Sequence, residues 1–146
     1  MARAASFVLL LALLVAGCGG DGPAWEGPQR PFGADGTVRV DAFTDYANEV
    51  DELWERSPAL LAGEFLRLDR AQATRVAIAA EATGEGTETA TVTVTLSGLL
   101  DDSIAAERYV LALRRDGDVW RLTSAMWAQR CAPGRGHDEF SPETCV

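Results

Sequence analysis

The chain has 146 residues, a formal charge of −9, 47% apolar and 24% charged residues, which suits one folded domain and leaves room for neither a second domain nor global disorder. A charge of that sign repels nucleic acid and anionic headgroups, so nucleic acid is excluded as a partner. All 13 basic residues are Arg, which closes Schiff-base and other Lys-dependent chemistry.

At the N-terminus Arg3 precedes the apolar stretch Phe7 to Ala16, which closes in Val15-Ala16-Gly17-Cys18. The run falls short of the about 20 residues that span a bilayer, so residues 1–17 read as a cleavable signal and not as an anchor. A small-residue pair ahead of a cysteine resembles the lipobox of bacterial lipoproteins. The resemblance implies cleavage before Cys18, a diacylglycerol on its sulfur and a further chain, such as palmitate, on the new amine. Two or three chains, at about 0.8 kcal/mol per buried methylene, hold a protein stably on membrane lipid. The address implied is extracytoplasmic, on the periplasmic or cell-surface side, and in a Gram-negative envelope Gly at residue 19 in place of Asp would direct it to the outer membrane. The alternative is an ordinary secretory signal with an incidental cysteine.

Residues 18–36 then form the lipidated cysteine and a Gly/Pro-rich linker, expected as a flexible tether holding the domain roughly 20–25 Å from the lipid. Trp25 and Phe32 within it could pack on the domain or on the membrane surface, and isolated exposed aromatics are the favoured reading.

From Thr37 the pattern becomes helical. Val40, Phe43, Ala47, Val50 and Trp54 recur at steps of three and four, with acidic residues between them, predicting a helix over 38–56 with Thr37 as its N-cap. Ser57-Pro58 caps and starts a second helix, with Leu60, Leu61, Phe65 and Leu68 facing the core. After Asp69 the period falls to two. Val76, Ile78 and Ala80 alternate in one strand, and Thr alternates with apolar residues over Thr89–Leu96 in the next; joined by Thr83–Thr87, they predict a hairpin. A second hairpin follows, with Tyr109, Leu111 and Leu113 inward, an Asp116-Gly117 turn, and Trp120, Leu122 and Met126 sharing a face.

The fold class is therefore α+β over 37–130, two N-terminal helices on a four-stranded antiparallel curved sheet. This element order is similar to that of small NTF2-like (cystatin-like) domains. The resemblance implies a cone between helices and sheet that such domains use for small ligands, catalysis or dimerisation.

Cys131 and Cys145 bracket an aperiodic tail, 131–146. In an exported protein they most economically form a disulfide, worth about 3 kcal/mol for a loop of about 15 residues. A metal site from Cys131, His137, Asp138 and Cys145 is the rival, but the spacing lacks a CxxC knuckle and no metal is expected. His137, the only histidine, could act as an acid or base; a solvated or backbone-bonded loop histidine is the favoured reading. Asp101 and Asp102 could bind a cation or take a proton, yet two ligands are too few for calcium, and turn capping is favoured.

No phosphate loop, GxSxG elbow, HExxH or EF-hand pattern is present, so no cofactor is expected. The function expected is that of a membrane-anchored, non-enzymatic domain binding a small ligand or an envelope protein, with Arg135, His137 and Phe140 as its first candidate surface. The alternatives are an NTF2-like isomerase or hydrolase using Asp101, Asp102 or His137, and a structural assembly lipoprotein.

Overall fold

A computed structural model describes residues 24–82, 86 and 88–146. Cys18 and the signal lie outside the described residues, as does most of the Thr83–Thr87 connection. The protein is α+β, with an open antiparallel sheet of five strands rather than the expected four: β1 (Thr37–Val38), β2 (Ala73–Ala82), β3 (Thr89–Leu99), β4 (Ile104–Asp116) and β5 (Val119–Cys131), in spatial order β1-β5-β4-β3-β2. The additional strand is β1, too short to leave a period in the sequence. Thr37 pairs with Met126 there, so it does not cap the helix that follows.

The single helix expected over 38–56 is two pieces. Helix α1 (Asp41–Glu49) ends at Val50, whose backbone is extended. A short 3-10 turn, Leu53–Arg56, then begins from a reciprocal box in which Glu52 and Glu55 each cap the other's backbone. The apolar stripe survives the break, since the turn still lays Trp54 on Phe43 and Tyr46 at ring separations of 5.7 and 6.1 Å. Helix α2 (Pro58–Phe65) starts as expected, with the Ser57 hydroxyl accepting from the Leu60 N–H and Pro58 in the first turn. Leu61 and Phe65 enter the core, but Leu60 is 58% exposed, and Leu68 lies beyond the helix in a second 3-10 turn (Leu68–Arg70), packed on the core from there.

One face of the sheet carries the core. Ala90, Val92, Val94 and Leu96 of β3 and Tyr109, Leu111 and Leu113 of β4 are buried against Phe43, Leu61 and Phe65. In β5 the alternation changes phase. Leu113 pairs with Leu122 but Ala112 with Ser124, leaving Thr123 as the extra residue of a bulge, its hydroxyl bonded to the Ala112 carbonyl at 2.9 Å. Trp120 and Leu122 therefore face the core, then Ala125 and Trp127, while Met126 points to the other side. At the Asp116-Gly117 turn Gly117 has φ +60°, the conformation that a two-residue hairpin loop needs.

The expectation of exposed aromatics before Thr37 does not hold. Trp25 is buried between Phe43 and Phe65, with its indole N–H donating to the Phe65 carbonyl at 2.8 Å. Phe32 packs edge-on against Trp127 and Tyr109. The space between helices and sheet is thus filled by side chains. Among the described residues no helix is long and apolar enough to cross a membrane.

Candidate functional site

The tail after β5 folds back along that strand. Cys131 and Cys145 are at disulfide distance, with Cα atoms 5.4 Å apart, and the loop they close covers the outer edge of β5. The Gln129 N–H donates to the Ser141 carbonyl and the Cys131 N–H to that of His137, while the Trp127 N–H is taken by Gly36.

His137 turns both ring nitrogens to carbonyls of its own loop, Nδ1 to Glu139 at 2.7 Å and Nε2 to Glu143 at 3.0 Å. A neutral imidazole can donate only once, so two acceptors favour the cation; the Glu139 carbonyl first and the Glu143 carbonyl second raise its pKa above the ordinary histidine value. A histidine ring nitrogen and the two sulfurs lie within 4.8 Å of one another. With the sulfurs joined, the thiolates that a metal would need are not there.

The other candidates divide between two places. Phe140 lies under the Arg108 guanidinium at 3.7 Å and near that of Arg130 at 5.5 Å. Arg135 pairs with Asp102 at 3.3 Å, and the adjacent Ala132 N–H bonds the Ser103 carbonyl, so the β3–β4 connection and the tail meet. Asp101 accepts from the Ser103 hydroxyl at 2.7 Å and backbone N–H at 2.9 Å, and these bonds lower its pKa. It caps a turn, as residues of this type do.

Sequence reasoning missed Glu107. It is buried at the end of the sheet's core face, where Arg30 forms an ion pair with it and the Tyr109 hydroxyl donates to it at 3.4 Å. Burial, then the Glu107 charge, pushes the Tyr109 pKa up, so the phenol keeps its proton. The Arg30 guanidinium lies 4.7 Å from the ring centres of both Phe32 and Trp127. The signal was present in β4: Glu107 has the parity of Tyr109, Leu111 and Leu113, an acid on an apolar phase.

Two depressions flank this group. One, of about 490 Å³, is lined by Leu66, Leu96, Leu99, Leu100 and Ile104, with Arg70, Gln72, Asp101 and Glu107 as its polar groups. The other, of about 570 Å³, lies between the N-terminal arm and the tail, walled by Arg30, Phe32, Trp127, Pro142 and Thr144. No family model, curated protein or solved structure matches the chain.

Proposed function

We propose that this chain is an envelope domain, held on membrane lipid by an acylated Cys18, that binds a small amphipathic ligand at the Glu107 end of its helix-sheet layer without transforming it. The observation that carries the reading is a buried carboxylate beside a depression lined by leucines, with Leu100 80% accessible at the rim. A few fixed polar groups within an apolar concavity are what small-ligand sites have in common. The ligand's apolar body would lie on Leu96, Leu99 and Leu100, and a donor group would reach Glu107 or Asp101.

The order of elements, two helices and then antiparallel hairpins, remains similar to that of NTF2-like domains, and descent from that fold is part of the proposal. The cone that such domains enclose is filled here by Trp25, Phe43 and Phe65, which favours a binding site at the end of the layer over a catalytic interior. Asp101 lines the Leu100 depression without Asp102 or His137 beside it, and no acid/base step is proposed for them. Arg135, His137 and Phe140 do not line the Leu100 depression, so the ligand surface proposed is that depression and not the tail.

Native mass spectrometry of the protein released from its own envelope in mild detergent tests both halves. The expected species starts at Cys18, carries acyl chains and retains a small-molecule adduct that Leu100→Glu removes without changing the melting temperature. An unacylated chain starting at Met1 would sink the anchoring half. An acylated chain with no adduct, or one indifferent to Leu100→Glu, would sink the binding half.

A further inference from the structure

The two edges of the sheet are treated differently. Along β5, the segment before β1, β1 itself and the disulfide-closed tail together take up the outward backbone groups. Strand β2 forms the opposite edge. It runs ten residues, Ala73–Ala82, with every residue after Ala73 exposed and no strand beyond it among the described residues. A long open edge is a template for another strand.

Strand β2 also extends the core face past the helices. Its partners in β3 place Val76 beside Leu96, Ile78 beside Val94 and Ala80 beside Val92, so these three share the face that is buried one strand further in. Here they lie open, Val76 at 41% and Ile78 at 44%, beside a depression of about 530 Å³ whose apolar wall includes Trp54, Leu60 and Leu68.

We infer that β2 is the pairing edge of a symmetric dimer, in which two copies join their sheets antiparallel about a two-fold axis through Ile78. The charges select this arrangement. Centred on Ile78, an antiparallel pair sets Arg75 opposite Glu81 of the other copy, Val76 opposite Ala80 and Ala77 opposite Ala79, with the Arg75–Glu81 contact made twice by symmetry. Neither residue has an ion pair within its own chain among the described residues. The opposed residues have equal parity, so outward-pointing backbone groups meet outward-pointing groups, as an antiparallel ladder requires. Parallel in-register pairing would instead oppose Arg75 to Arg75 and Glu81 to Glu81. Since the β5 edge is covered, the association stops at two copies and does not run on into a fibre.

Sedimentation equilibrium of the full chain in density-matched detergent tests this. The parent is expected to reach a monomer–dimer equilibrium below about 100 μM. Glu81→Arg and Arg75→Glu each place like charges across the axis twice and are expected to weaken the dimer at least about tenfold. An equal mixture of the two variants restores opposite charges at every contact and is expected to recover the parental constant within about threefold. Because both positions are exposed, circular dichroism should show unaltered folding; should either variant fold poorly, Ile78→Cys places two sulfurs at the axis, and an oxidised covalent dimer is the expected product. A parent monomeric at about 100 μM, single variants that associate like the parent, a mixture that stays monomeric, or an Ile78→Cys protein that does not crosslink would each overturn the inference; the first leaves the edge to a strand of another protein.

Discussion

The imidazole of His137 has two acceptors and one role. It joins the Glu139 and Glu143 carbonyls across the tail, and the charged ring makes both bonds. Its folded-state pKa is raised, so this contribution to stability is fully present below the unfolded value of about 6.5 and is lost as pH rises through the folded value. The difference in melting temperature between the parent and His137→Ala is therefore expected to be largest near pH 5 and to shrink as the pH rises past the folded value. A difference that stays constant, or grows with pH, would refute the double bond. A different economy holds Glu55, which is 1% exposed: Arg121 pairs with it and also donates to the Ala47 carbonyl at 3.2 Å, tying α1, the 3-10 turn and β5 together. In the sequence Glu55 is one acid among many on an acidic helix face, and nothing local marks it as the buried one. Asp101 was legible as a turn cap because the Asp-x-Ser pattern is local. Glu107 and its partner Arg30, 77 residues apart, were not, because only the fold joins them.

Among the elements, strand periods were read well where two rules agreed. The Thr/apolar alternation of β3 and the Tyr109-Leu111-Leu113 phase of β4 gave the correct buried face. The β5 phase failed at Met126 because a bulge at Thr123 adds one residue without a glycine to announce it. Helix ends failed for a similar reason: past α2 the left-handed position belongs to Arg67 at φ +50°, held by Glu64 and Asp69, where a sequence reader looks for Gly. The largest miss was the arm before Thr37. Gly and Pro in it signal the absence of helix and strand, not the absence of packing, and Trp25 belongs to the core. Trp25→Ala is expected to cost about 3 kcal/mol in urea denaturation, since it empties an aromatic site and leaves the Phe65 carbonyl without its donor. A change below about 0.5 kcal/mol, the usual size at an exposed site, would mean that the arm is not part of the fold.

At the scale of the whole molecule, the charge of −9 and the covered β5 edge point the same way, towards a protein that keeps its own kind and anionic surfaces at a distance except along one strand. The burial of Trp25 also fixes a length. Only six residues separate it from Cys18, and at about 3.3–3.6 Å per residue the chain cannot stretch much beyond about 25 Å between them. With the proposed acyl chains on Cys18, the domain is on a short lead with one end nailed into its own interior. So anchored, it would swivel over a disc of bilayer without reaching across an envelope compartment, and whatever it met would have to come to the lipid surface. Inserting a Gly-Ser segment between Cys18 and Trp25 is expected to raise the domain's height above the bilayer in neutron reflectometry while leaving its melting temperature alone. A height that does not respond would mean that some other part of the molecule rests on the lipid.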